Sequence, residues 1–220
     1  EVPFFQQFGN AIDKIVDRVS IGGNPTVFHN GLDRYVSNDQ LLRPSLHEHE
    51  LNEFLKQSNP DVLFLSIHAT NKTKIEAIDA AIFNALPHHS KVILCVFGDP
   101  SVLAQLPTKG IDAIIWAKEN HEIAQERVSQ LIFGSIGATA NLRKELHSLD
   151  QTFSIGQGIQ TAANGRLKYS SPEEIGVDSK KLAGIDLIAN EGIEKGAYPG
   201  CQVLVAVNDQ IIWRKCYGKQ

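Results

Sequence analysis

Asp61-Val-Leu-Phe-Leu-Ser-Ile-His68 decides the fold. Its apolar residues run almost unbroken instead of alternating with polar ones. An unbroken apolar stretch of strand length is buried on both faces, which is the habit of parallel strands. Lys91-Val-Ile-Leu-Cys-Val-Phe97 and Ile111-Asp-Ala-Ile-Ile-Trp-Ala117 read the same way. Between the first two, Ile75, Ile78, Ile82 and Leu86 share one side of a helix that ends before Pro87. A short helix over Ser101–Gln105 joins the second and third. After the third, Ala124, Val128, Leu131 and Ile132 align on an amphipathic helix ended by Gly134. Strands alternating with helices predict an α/β three-layer sandwich with a mostly parallel sheet and right-handed crossovers.

Upstream, Phe5, Phe8, Ile12, Ile15, Val16 and Val19 share one helical face, so the spacing predicts a helix over 4–19 with Pro3 in its first turn. Gly22-Gly23-Asn24-Pro25 is a turn, and Thr26-Val27-Phe28 reads as a short strand. Ser45-Leu-His-Glu48 is a capping box opening a helix to Gln57, stopped by Ser58-Asn59-Pro60.

Downstream of Ser148 the pattern breaks. Gln151 to Pro172 is rich in Gly, Ser, Thr, Asn and Gln and reads as an extended linker. Asp178 then caps a helix with Leu182, Ile185, Leu187, Ile188 and Ile193 mainly inward, ending near Gly196 and Pro199. Cys201–Val207 and Gln210–Tyr217 form two strands around Asn208-Asp209, a two-residue hairpin turn. With Val207 opposite Gln210, Cys201 faces Cys216 and Leu204 faces Trp213. A cross-strand disulfide is one reading of that pair. It falls, however, at a hydrogen-bonded position where side chains diverge, and a disulfide needs Cβ atoms ~3.8 Å apart, so two packed free thiols are favoured. The expected organisation is an α/β domain over 1–147, a linker over 148–176, and a helix and hairpin over 177–220. One helix and one hairpin cannot bury an adequate core alone. This last segment therefore reads as the start of a truncated second domain, expected to dock on the first domain or to self-associate through 178–217.

The chain has 21 basic and 25 acidic residues and no basic run longer than two, which gives no reason to expect nucleic-acid binding. No apolar stretch approaches the ~18 to 20 residues of a membrane helix. The chain opens Glu1-Val2-Pro3, reads as an excerpt or a processed product, and gives no compartment from targeting. Cys95 lies in an apolar run and reads as a buried free thiol; no Cys-x-x-Cys occurs.

Candidate chemistry is sparse. No serine has Lys three residues later, and Gly-x-Ser-x-Gly and a Walker loop are absent. Gly156-Gln-Gly158 follows no strand and opens no helix. His47-Glu48-His49-Glu50 invites a metal reading, but residues i and i+2 of a helix point about 200° apart, so the two histidines cannot share one ion. His88 and His89 follow Pro87 in a turn, and His121 suits a helix cap. His68, Gly98 and Asp99 are the candidates for a ligand site, because they end adjacent parallel strands, where α/β sheets bind ligands. The plainer reading is that His68 hydrogen-bonds the loops and that Asp99 sets the turn or caps the short helix. No pair of carboxylates suited to glycoside hydrolysis can be nominated from spacing. No metal site and no cofactor are expected.

Several stretches nonetheless resemble a known family in sequence order. Val92-Ile-Leu-Cys-Val-Phe-Gly-Asp-Pro100, Ala113-Ile-Ile-Trp-Ala-Lys-Glu-Asn-His121, Ala124-Gln125 and Gln130-Leu-Ile-Phe-Gly134 resemble the C-terminal α/β domain of glycoside hydrolase family 3. The likeness is closest to its β-N-acetylglucosaminidase branch, where Asp99 stands in place of a common Asn. Ser171-Pro-Glu-Glu-Ile-Gly-Val-Asp-Ser179 and Gly196-Ala-Tyr-Pro-Gly-Cys-Gln-Val-Leu-Val-Ala206 resemble the opening of a class C β-lactamase-like serine hydrolase, and Gly165-Arg-Leu-Lys-Tyr169 fits the linker of proteins that fuse the two. The resemblance implies that catalysis lies elsewhere, in a preceding (β/α)₈ barrel and in a serine and lysine beyond Gln220. It implies a first sheet strand ahead of Glu1 and no catalytic residue in this chain. The implied parent is a secreted or periplasmic hydrolase of N-acetylglucosamine-containing glycans, with the barrel and the rest of the β-lactamase-like domain as partners. The alternative is a free-standing small-ligand binding module of flavodoxin-like shape.

Overall fold

The computed structural model describes residues 15–22, 24–36, 41–42, 48–69, 90–163, 165 and 167–219. The chain divides into two compact units, residues 1–162 and 163–220.

The first unit is built on β1 (Val16–Ile21), β2 (Leu41–Leu42), β3 (Val62–Ala69), β4 (Lys91–Gly98) and β5 (Ala113–Ala117). They lie in the order β2-β1-β3-β4-β5, and every neighbouring pair is parallel. Side chains alternate across a strand, so each strand serves two cores. On one face Val19, Leu63, Leu65, Ile67, Val92, Leu94 and Val96 pack against Leu55 of α2 (Glu48–Ser58) and Val102 and Leu103 of a 3-10 helix (Pro100–Gln105). On the other, Val16, Val62, Phe64, Ile93, Cys95 and Phe97 meet Phe28 and Leu32 of α1 (Thr26–Asp33) and Val128 and Ile132 of α3 (Glu122–Ile132). The result is an α/β sandwich with helices on both faces of a parallel sheet. Residues 75–86, read as a helix, lie outside the described residues, as do Phe5, Phe8 and Ile12 and the caps Ser45 to His47.

Two elements differ from their sequence reading. Val16–Ile21 is not the end of a helix but β1, an internal strand paired along its length with β3. Burial on both faces decides this. Val16 and Val19 point to opposite cores, which a strand spacing of three permits, and even Asp17 and Arg18 are buried. Thr26–Phe28 is not a strand but the first turn of α1, because Phe28 and Leu32, four apart, both bury completely against β4 and α3. Ahead of its N-cap Pro25, Asn24 Oδ1 accepts from Thr26 N–H (3.1 Å) and Thr26 Oγ1 (2.6 Å).

The first part of the stretch read as a linker is bonded to the segments that precede it. β6 (Leu146–His147) pairs antiparallel with β7 (Thr152–Phe153), and Leu142, Gly156, Gln157, Ala138 and Thr161 exchange backbone hydrogen bonds. Asp150 accepts from the backbone N–H of Thr108 (2.8 Å) and Lys109 (3.0 Å) and from Ser148 Oγ (2.9 Å). These bonds hold its carboxyl pKa down at about 2.

In the second unit β8 (Lys168–Tyr169) lies parallel to β10 (Gln210–Gly218), which pairs antiparallel with β9 (Gly200–Val207). Asn208 and Asp209 both take positive φ, 50° and 59°, as a type I′ turn demands. The first two pairs follow the expected register. A bulge between Ile211 and Trp213 then shifts the rest by one, so Val205 faces Trp213, Leu204 faces Arg214 and Cys201 faces Tyr217. Cys216 faces Gln202 instead, on the opposite side of the sheet from Cys201, and both thiols are free. The expected helix is split at Ala183 into α4 (Ser179–Leu182), capped by Asp178 as read, and α5 (Gly184–Glu194). Leu187 and Ile188 are not inward but 75% and 71% exposed. The inward face of α5 is Ile185, Ala189, Gly192 and Ile193, because Asp186 is drawn to Lys215 Nζ and Tyr217 Oη of β10 (both 2.7 Å) and Tyr198 packs on Gly192.

Candidate functional site

Strand order 2-1-3-4-5 reverses between β1 and β3, so the crevice of this fold class falls at their carboxyl ends. Ser20 and Ser66 are direct register neighbours there, and His68 follows Ser66 on the same face. α1 brings His29 to this face and α3 brings Gln125.

The side chains form one continuous network. Ser20 Oγ lies 2.6 Å from His29 Nε2 and 2.5 Å from Ser66 Oγ. His68 Nε2 lies 3.2 Å from Ser66 Oγ, and His68 Nδ1 3.0 Å from Asn120 Oδ1. Gln125 Nε2 donates to Asn120 Oδ1 and to Asn24 C=O, each at 3.0 Å, and Gln125 Oε1 accepts from Phe28 N–H at 3.0 Å. His68 stacks on Phe97 with ring centroids 4.7 Å apart. Ser20, His29, Ser66, His68 and Gln125 are all buried. Burial lowers the pKa of both imidazoles. That of His29 falls to about 4, with help from the nearby Arg18 guanidinium; the bond to Asn120 partly opposes the shift at His68.

His68 is therefore tied to side chains rather than to loop backbone. Gly98 has φ 98°, a conformation suited to glycine, and its carbonyl accepts from Trp116 Nε1–H at 2.9 Å. Asp99 caps the 3-10 helix, its Oδ1 accepting from Ser101 N–H at 2.9 Å, which lowers its pKa. The three candidates thus end adjacent strands, but only His68 joins the network. His121 caps α3, its Nδ1 accepting from Ala124 N–H at 3.1 Å. The side chains of His47, Glu48, His49 and Glu50 lie outside the described residues.

Ser20, His29, Ser66, Asn120 and Gln125 were not singled out by sequence. Ser66 was within reach, since it sits two residues before His68 on one strand and must share its face. Ser20 beside His29 has the composition of a nucleophile and base. However, Ser20 is 1% exposed, its oxygen is already shared with Ser66, and no carboxylate among the described residues bonds His29. Two N–H groups at the start of α1, where an anion would sit in a nucleotide-binding fold, are taken by Asn24 and Gln125. Among the described residues no three His, Cys, Asp or Glu side chains converge as a metal site, and no helix is long and apolar enough to cross a membrane. No protein-family model matches the chain, and no curated protein matches it.

Proposed function

We propose that this chain is a non-catalytic accessory segment of a larger secreted or periplasmic glycoside hydrolase of the β-N-acetylglucosaminidase type, continuing into a β-lactamase-like serine hydrolase domain. One observation carries the first half of the reading. Among the described residues, the polar side chains gathered at the carboxyl ends of β1, β3 and β4 are spent on each other or on caps, with no buried nucleophile and base left open to a substrate. A sheet whose described polar side chains at that end bond to one another suits a packing role beside a catalytic barrel better than turnover. The motif order from Val92 to Ala206 supports the glycosidase and β-lactamase-like assignments. The exposed apolar residues of the second unit, Leu187, Ile188 and Leu204, support a domain that is completed by further chain. In this reading the partners are the (β/α)₈ barrel and the remainder of the β-lactamase-like domain, and no cofactor is required.

The test is activity against a chromogenic N-acetylglucosaminide. The chain alone is expected to release nothing, whereas the full parent protein turns the substrate over. Turnover that tracks this chain through purification refutes the reading, as does a coding region without a barrel beside it.

The strand order favours a second reading, a small-ligand module using His68, Gly98 and Asp99 at the β1/β3 switch point. Under it, a metabolite screen finds a compound that raises the melting temperature, and His68→Ala abolishes the shift. The occupied N–H groups of α1 weigh against it.

A further inference from the structure

Two backbone groups fix the proton order of the whole buried network. Phe28 N–H can only donate, so the Gln125 atom beside it is Oε1. Asn24 C=O can only accept, so the other Gln125 atom is Nε2. The same Nε2 donates to Asn120, which must therefore present Oδ1. That oxygen can only accept, so His68 Nδ1 carries a hydrogen. A neutral His68 then has a bare Nε2, which accepts from Ser66 O–H. Ser66 Oγ, its hydrogen used, accepts from Ser20 O–H, and Ser20 Oγ accepts from His29 Nε2–H. Every gap holds one hydrogen, and the two histidines are neutral in opposite tautomers.

We propose that this chain of bonds is an acid-sensitive latch, which holds α1 and the start of α3 to the carboxyl ends of β1 and β3 until His29 and His68 are both protonated. A proton added at His68 Nε2 aims a donor at Ser66 Oγ. Relief needs both hydroxyls to reverse and His29 to move its hydrogen to Nδ1. A second proton leaves both ends donating inward. Two hydroxyl hydrogens then compete for one Ser20–Ser66 gap, and one stays unbonded in a buried place. Of the charges nearby, Arg18 opposes protonation of His29 and Asp33 only partly offsets it. Arg18 of β1 donates from Nη1 to His29 C=O at 3.3 Å, and Asp33 of α1 is already paired with Arg18 at 2.5 Å. Among the described residues, β4 faces the network with Phe97 and the Cys95 thiol, and α3 with Gln125, all uncharged. Burial keeps His29 neutral down to about pH 4, against 6.5 for an ordinary imidazole. The unfolded chain therefore takes up protons first as pH falls. The latch contributes fully above pH 6.5, weakens below it, and is lost as pH falls to about 4.

Long-range nitrogen–proton NMR of the imidazoles at neutral pH reads the tautomers directly. Hydrogen on His29 Nε2 and on His68 Nδ1 is expected; the opposite tautomer at either residue overturns the proposal. Amide exchange then reads the release. On going from neutral pH to about 4.5 the protection factor of Phe28 N–H should fall at least roughly tenfold while those in β4 hold. His29→Gln keeps a neutral donor to Ser20 and should show a clearly smaller fall, because only His68 then titrates. An equal fall in that variant, or none in the wild type, sinks the latch. Should His29→Gln not fold, the wild-type tautomers and exchange still decide.

Discussion

At the scale of single residues, Asp17 is the anomaly of the first unit. It lies on β1, fully buried; the Ser58 side chain is its polar neighbour, and among the described residues neither carboxyl oxygen has a hydrogen-bond partner of good geometry. Its neighbour Arg18 points to the opposite face, where it serves His29 and Asp33. Burial raises the pKa of Asp17 above the ordinary carboxyl value of 3.8. The sign of the linkage follows. An acid whose folded pKa is raised holds its proton longer in the native state than in the unfolded one. Its contribution is whole below pH 3.8 and declines as pH rises through the folded pKa. At neutral pH the buried group is a liability, so Asp17→Asn should stabilise the protein by about 1 to 2 kcal/mol. Urea unfolding checks this: the midpoint should rise at pH 7, and the gain should shrink as the wild type is acidified towards pH 3.8. A lower midpoint at pH 7 would mean that the charge has a partner after all.

At the scale of elements, the fit of α1 against α3 turns on one glycine. A Cβ on Gly31 would stand 2.3 Å from Ser129 Oγ and 2.9 Å from its Cβ. Alanine is the better helix former by about 1 kcal/mol, but overpacking costs about 1 to 3 kcal/mol. Gly31→Ala should therefore lose about 1 kcal/mol net, and adding Ser129→Gly should recover part of it in a double-mutant cycle. The β-bulge at Ile211/Trp213 makes a separate prediction. It sends Cys201 and Cys216 to opposite faces of the sheet, so an oxidised sample should contain no disulfide within the chain. Thiol titration of the native protein should find Cys216 at once and Cys95 only on unfolding, since Cys95 is fully buried. The same elements mark what a sequence can tell. β3, β4 and β5 were legible because both their faces are apolar, and Asn208-Asp209 because so few residue pairs tolerate two positive φ values. β1 was not, because Asp17, Arg18 and Ser20 interrupt its apolar run, nor was α1, because Thr-Val-Phe has the composition of a strand. Those two misread elements carry Ser20 and His29. The network was therefore visible only from its β3 end, through His68. The bulge has no local signal at all; packing of the two faces sets it.

At the scale of the molecule, the two units differ in how much they bury. The first has two continuous cores, one on each face of a five-stranded sheet, filled by fully buried side chains such as Phe28, Phe64, Leu94 and Phe97. The second buries Ala189, Ile211, Ile212 and Tyr217, while Leu187, Ile188 and Leu204 stay exposed. Hydrophobic burial is worth about 25 cal/mol per Å², so the second unit has much the weaker hold on its own structure. Its strand β9 is also an edge: among the described residues only β10 pairs with it. Amide exchange followed by mass spectrometry should therefore rank the chain. Peptides from β3 and β4 should exchange slowest and only through global opening, and peptides from α5, β9 and β10 should exchange orders of magnitude faster. If the accessory reading is right, the parent protein should slow β9 and α5 selectively, because further chain then covers them, and leave β3 and β4 unchanged. Equal protection of both units in the isolated chain would mean that the second unit is stable by itself and that its exposed apolar surface needs no further chain to cover it.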